Sequence, residues 1–252
     1  MFKPRSVILR TYGGLGNQIF QVLYGRIYSD FFKLSLFEIH SRHYKHKFNR
    51  VDKLLQSNLP SKKKQFISRL RIPKILNLSA NKEISKFQLF NDIYLDGYFQ
   101  DKFCFETFPK DIIYKNLMKI SEELSISNES RELDLLHLRL GDFFLDKKKA
   151  IDFAKSKLRN SGTGTHIITN VNSIFKEKEI IQLIEKSNLK VINTEGKQPD
   201  EIMKLMSSYK SIDTNDSTIA FWAAILSGSK LYTPSRELME IYCFFKDIVP
   251  NI

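Results

Sequence analysis

The chain has little of what would mark it as a secreted or membrane-spanning protein. Two cysteines in 252 residues, Cys104 and Cys243, are too few for a disulfide framework. Both sit in aromatic-rich stretches and are expected to be buried thiols in a reducing setting. No apolar run approaches the roughly 20 residues that cross a bilayer. The opening Met1-Phe2-Lys3-Pro4-Arg5 passes straight into a strand-like run without the apolar stretch of a leader, so a cytoplasmic location is expected. Internal repeats and low-complexity tracts are absent. His40, His43 and His46 recur every third residue with no acidic or thiol ligand beside them, so they read as solvated basic surface, and no metal site is expected.

Acidic residues are scarce in one place above all. The net charge is +12, and the segment Lys33 to Lys74 holds twelve lysines or arginines against only Glu38 and Asp52. Such a patch attracts anions, whether nucleic acid, lipid headgroups or a phosphorylated substrate; a solvated basic helical face explains it equally well. Phe37, Tyr44, Phe48 and Phe66 are interleaved there, but no nucleic-acid-binding pattern accompanies them.

What is present is an alternation of apolar strands and amphipathic helices. A strand at 6–12, a helix over Gly16–Phe32 and a strand over Leu34–Ile39 form a βαβ unit, with Ile19, Phe20, Leu23, Ile27 and Phe31 on one helical face. Segment 41–75 carries two short helices broken at Pro60 and Pro73, Ile93–Phe99 reads as a strand, and 109–125 as a helix. The polar stretch Ser125–Glu132 reads as a linker, dividing the chain into 1–128 and 129–252. Beyond it, strands 132–139, 165–170, 189–194, 210–214 and 230–233 alternate with helices 147–159, 173–187, 199–209, 217–228 and 235–247. This alternation predicts a parallel sheet covered by helices, whose ligands bind at the carboxyl ends of its strands.

Candidate site residues cluster at such ends. Gly13-Gly14-Leu15-Gly16-Asn17-Gln18 is a glycine-rich strand-to-helix turn, either a tight turn that only starts a helix or an anion site, and the second is favoured because Asn17 and Gln18 place polar amides where they can face a ligand. It is not the dinucleotide fingerprint, because Gln18 stands at the third glycine position. About 120 residues later, His137-Leu138-Arg139-Leu140-Gly141-Asp142 ends a strand that should be central. Arg139 offers a fixed fork for a diphosphate, or else an internal ion pair with Asp142. Thr214-Asn215-Asp216-Ser217-Thr218 opens an apolar helix with the only tryptophan, Trp222. Its hydroxyls and N–H groups suit either a helix cap or a phosphate.

These motifs together resemble the fucosyltransferases of glycosyltransferase family 11, bacterial α-1,2-fucosyltransferases included. That family has a G-G-L-G-N-Q-hydrophobic-F-Q turn, matched by Gly13–Gln21, and a D-G-Y-aromatic-Q segment, matched by Asp96–Gln100. Its H-x-R-R-x-D strand end is matched by His137–Asp142, with Leu140 in place of the second arginine. Its N-S-T helix start is matched by Asp216-Ser217-Thr218. Its acidic S-D-D segment is replaced by Thr169-Asn170-Val171, so that if those carboxylates help read the donor base, Asn170 changes its recognition here.

The resemblance implies a GT-B-like fold, two Rossmann-like α/β domains facing across a cleft, the second holding the nucleotide sugar. It implies an inverting, metal-independent transfer of L-fucose from GDP-fucose to a glycan hydroxyl, with no cofactor beyond the donor substrate. Gly14, Gly16, Asn17, Gln18, His137, Arg139, Asn170, Asp216, Ser217 and Thr218 would bind the donor, and Asp142 or Asp146 would be the base. No strand-end D-x-D motif for a divalent ion is present, in keeping with that chemistry. The acceptor is expected to be a surface polysaccharide or lipid-linked glycan, with residues 33–74 against the inner membrane face. The rival readings are a transferase for another nucleotide sugar and, in a different class, a basic nucleic-acid- or membrane-binding protein.

Overall fold

The computed structural model describes residues 6–40, 86–89, 92–126, 131–141, 144 and 146–249. The helices expected within 41–75 lie outside these residues, and so does Asp142. The chain divides after Ser125 into two units, the first of which also takes in Asp247–Val249.

In the first unit Val7, Ile8 and Leu9 form the middle of β1 (Ser6–Thr11), buried on both faces, which accounts for its unbroken apolar run. α1 (Leu15–Phe32) follows and ends at Lys33, whose left-handed backbone (φ 52°) turns the chain into β2 (Ser35–His40). β3 (Lys86–Leu89) and β4 (Asp92–Leu95) complete a four-stranded sheet in the order β2-β1-β4-β3. β2 and β4 run parallel to β1, and β3 is antiparallel to β4. β3 was not foreseen: four residues on an antiparallel edge are too few to show a period. Ile19, Leu23 and Ile27 of α1 are fully buried, together with Leu117 and Ile120 of α2 (Lys110–Glu123). Phe31, expected on the same face, is 41% exposed because it lies at the last turn of α1. Arg26 Nη2 joins α1 to α2, donating to both carboxylate oxygens of Glu123 at 3.0 and 2.8 Å.

Tyr24 is the hub of an aromatic cluster. It stacks on Phe99 with centroids 4.2 Å apart and meets Phe105 and Phe108 edge-on. Among the described residues its hydroxyl is buried without a hydrogen-bond partner, and burial pushes the phenol far above its ordinary pKa.

The second unit is an all-parallel, five-stranded sheet in the order β7-β6-β5-β8-β9. Its strands are β5 (Arg131–Leu138), β6 (His166–Thr169), β7 (Lys190–Val191), β8 (Tyr209–Thr214) and β9 (Lys230–Tyr232). Between and after them come α3 (Lys147–Arg159), α4 (Lys178–Lys186), α5 (Pro199–Ser207), α6 (Thr218–Ser227) and α7 (Arg236–Lys246). The chain starts at the central β5, winds out to β7, then returns to β8 on the other side. The reversal at β5 is the topological switch point, where ligands of doubly wound sheets bind. Both units are thus α/β, with a mainly parallel sheet in the first and an all-parallel sheet in the second, flanked by helices.

Two expectations change in this unit. The helix predicted over 173–187 is a 3-10 turn, Asn172–Lys176, followed by α4, with Glu177 extended between them (φ −73°, ψ 125°). Ile174 and Ile180 both enter the same core with Leu136, Leu138 and Leu158. Six residues apart on an unbroken helix they would face in different directions, so the break re-phases the apolar side. The linker is also shorter than expected, since Arg131 and Glu132 already belong to β5.

Candidate functional site

Leu136 and Leu138 point into the helix-covered core, which sends His137 to the other side and leaves Arg139 half-buried just past the end of β5. Asn215, at the end of the neighbouring β8, holds that residue by its backbone. Asn215 Oδ1 accepts from Arg139 N at 3.0 Å, and its Nδ2 donates to Arg139 O at 2.7 Å, so the buried amide continues the ladder where the strands stop. Arg139 Nη1 then donates to the carbonyl oxygen of Asp216, which puts the guanidinium at the entry of α6. Ser217 caps that helix, its hydroxyl accepting from Ala220 N at 3.4 Å, and Thr218 is its first residue. A fixed guanidinium beside a helix amino terminus and two hydroxyls has the chemistry to take a phosphate-type anion.

Next to this point lies a cavity of about 350 Å³ at the carboxyl ends of β5 and β6, walled by His137, Ile168, Thr169, Asn170, Glu195 and Ile219 among others. That volume is at the small end of ligand pockets and suits a planar ring with its sugar. His137 Nδ1 shares a hydrogen bond with the buried Thr214 hydroxyl at 3.1 Å, which sets the ring against the cavity wall. Asn170 Oδ1 accepts from Leu140 N at 2.8 Å and Gly141 N at 3.3 Å, so it pins the turn after β5. Thr194 and Glu195, on the loop after β7, were missed by sequence reasoning: no motif surrounds them, and only the sheet order brings that loop beside β6. Asn215 was quoted within its motif but not as a site residue; its signal is an asparagine at the very end of a strand.

In the first unit the glycine turn has a different character. Gly13 has φ +83° and a Cβ there would stand 3.1 Å from Asn17 Nδ2, so glycine is required; Gly14 caps α1 with open space around its Cα. The amides expected to face outward are turned into the protein. Gln18 is buried and its Nε2 donates to Gly13 O at 2.8 Å. Asn17 Oδ1 accepts from Gln100 Nε2 at 2.8 Å. Gln21 accepts from Tyr12 N at 3.0 Å and donates to Gly97 O at 3.1 Å. Arg10 Nη1 pairs with Asp96 at 3.1 Å. The two motifs Gly13–Gln21 and Asp96–Gln100 are therefore halves of one hydrogen-bonded brace. This is why β4 stops at Leu95 instead of running to Phe99. Phe99 itself takes a left-handed backbone (φ 52°), held there by its stack on Tyr24.

The remaining candidates fall as follows. Gly16 is buried in the first turn of α1. Asp146 is exposed and caps α3, accepting from Lys148 N at 2.7 Å and Lys149 N at 3.4 Å, so its carboxylate has a structural task. Asp142 lies outside the described residues. Of the two cysteines, Cys104 is partly buried, and burial raises its thiol to about 11, whereas Cys243 is exposed rather than buried as expected. Among the described residues, no three His, Cys, Asp or Glu side chains are grouped to hold a metal ion, and no helix is long and apolar enough to cross a membrane.

No family model matches the chain, and no curated protein does. Solved structures match the chain distantly. One is the NodZ α-1,6-fucosyltransferase co-crystallized with GDP, an enzyme known from Bradyrhizobium, at 14% identity and TM-score 0.49, over 89% of this chain and 93% of that one. POFUT1 in complex with GDP matches at 11% identity and TM-score 0.45, over 92% and 98%. The E. coli heptosyltransferase WaaC with ADP-2-deoxy-2-fluoro heptose matches at 8% and 0.47, over 91% and 89%. Likeness of this degree leaves the chemistry of the chain to its own residues.

Proposed function

We propose that the chain is a glycosyltransferase that moves L-fucose from GDP-fucose to a hydroxyl of a glycan acceptor with inversion. The observation that carries this reading is the meeting, at the switch point of the second sheet, of Arg139, the amino-terminal turn of α6 and a ring-sized cavity. The nucleoside occupies the cavity and the diphosphate lies against Arg139, Ser217 and Thr218. As the bond from the sugar C1 to the β-phosphate oxygen breaks, its electron pair stays on that oxygen. Arg139 and the positive end of α6 stabilise the added charge, an electrostatic role that calls on no metal ion. The acceptor hydroxyl attacks C1 from the opposite face and passes its proton to solvent water or to the carboxylate of Asp142. With Asp146 occupied as a helix cap, Asp142 is the carboxylate proposed as base, and the loose transition state needs only slight assistance from it. The strongly basic segment 33–74 suits an acceptor carried on an anionic membrane.

The test is a panel of nucleotide sugars incubated with the purified protein without acceptor. GDP-fucose should be hydrolysed slowly, faster than UDP- or CMP-sugars, and equally with or without EDTA. Hydrolysis of none, with no binding of GDP, overturns the reading; a strict need for Mn²⁺ overturns its metal-free mechanism.

A further inference from the structure

Arg139 is held at both ends by one dipeptide. Its backbone N–H and C=O meet the Asn215 side chain at 3.0 and 2.7 Å, and its Nη1 donates to the carbonyl oxygen of Asp216. The place of the guanidinium therefore depends on how the 215–216 peptide is turned. That peptide is fixed from the next strand out. Thr233, just past the end of β9, donates its hydroxyl to Asn215 O at 2.7 Å and accepts from Ser235 N at 3.2 Å. Ser235 Oγ accepts in turn from Leu238 N at 3.4 Å, in the first turn of α7. A chain of hydrogen bonds thus runs along the carboxyl edge of the sheet, from α7 through Thr233 and Asn215 to Arg139. On the other side of β5, Asn170 takes Leu140 N and Gly141 N, so the arginine sits between two pinned stretches.

We infer that Asn215 and Thr233 are positioning residues for the Arg139 guanidinium, Asn215 fixing its backbone and Thr233 fixing the peptide whose next carbonyl receives Nη1. This rests on the transferase reading above and adds to it the residues that aim its arginine. The residue types suit the task. Asn215 is buried, and an amide places an acceptor and a donor on one short stem, whereas an aspartate would set a second acceptor against Arg139 O. A charge that stabilises a leaving group acts best when its geometry is set before that group's charge develops. Loosening the chain of hydrogen bonds should therefore lower kcat more than it raises KM.

Steady-state hydrolysis of GDP-fucose and calorimetric binding of GDP by the whole chain test the assignment. Thr233→Val keeps the side-chain shape and removes the hydroxyl; kcat should fall about five- to tenfold with KM little changed, and Thr233→Ser should restore it. Asn215→Ala should lower kcat about thirtyfold or more. The deciding measurement is a double-mutant cycle with Arg139→Ala. Residues that act through the arginine lower kcat by less than about twofold further once it is gone. Losses that add in full, or wild-type kcat in both folded single variants, overturn the inference and leave the transferase reading standing. Thermal melting identifies the folded variants, and should Asn215→Ala not fold, Thr233→Val decides the cycle by itself. A wild type that binds GDP but hydrolyses no donor overturns the transfer reading alone, and the cycle is then read in GDP affinity. A wild type that does neither overturns both.

Discussion

The glycine turn Gly13–Gln18 in the first unit and the strand ends at His137–Arg139 and Asn215–Thr218 in the second all carry polar residues where a strand gives way, and those residues are bonded differently. In the first, the polar side chains bond to one another and to backbone: Gln18 to Gly13, Asn17 to Gln100, Gln21 to Tyr12 and Gly97. In the second, asparagines 170 and 215 take over the backbone bonding, and the strand end keeps a guanidinium, helix-entry hydroxyls and a cavity. A polar residue beside a glycine turn is therefore as apt to brace the turn as to meet a ligand. What separates the two is the cavity that opens beside the second.

The comparison breaks most sharply at Arg139. Arg139→Ala should lower turnover of the donor by about a hundredfold or more while far-UV circular dichroism and thermal melting stay near wild type. Near-normal turnover would remove the second unit's claim to be the anion site. Gln21→Leu should do the reverse. It strips partners from Tyr12 N–H and Gly97 C=O and should cost about 2–3 kcal/mol in urea denaturation, with donor binding in the second unit retained by whatever stays folded. A loss below half a kcal/mol would show that the brace is dispensable.

Asp146 sharpens the comparison on a smaller scale. Asp146→Ala should cost about 1 kcal/mol by uncapping α3, and Asp146→Asn should restore it, with turnover unchanged in both. A hundredfold fall in turnover for the asparagine variant would make this carboxylate the base after all. The smallest effect belongs to Tyr24. Because its buried hydroxyl lacks a partner among the described residues, Tyr24→Phe should raise stability by up to about 1 kcal/mol, and a loss of that size would reveal a bond the fold depends on.

Much of the architecture was legible because it follows from local periodicity. The helix over 147–159 and the strands near 132–139 and 210–214 have apolar patterns that hold without reference to neighbours. Where an element depended on its partners the reading failed. β3 exists because β4 offers it an edge, β7 keeps only Lys190–Val191 on its outer position beside β6, and the helix expected at 173–187 breaks because the core demands Ile174 and Ile180 on one side. Among site residues, Arg139 and Ser217 stood out through residue type at a strand end. Glu195 did not, since nothing around it in the chain sets it apart.

What the amino-acid order determined alone is the alternation of strands and helices, the glycine at Gly13 and the residues delivered to strand ends, since all are consequences of side-chain period and backbone sterics over a few neighbours. Only the tertiary structure decided which of those residues face a cavity and which are tied to each other. Hydrogen-bond partners such as Gln21 and Gly97, or Arg139 and Asn215, lie more than seventy positions apart, and strand order rather than sequence distance brings them together.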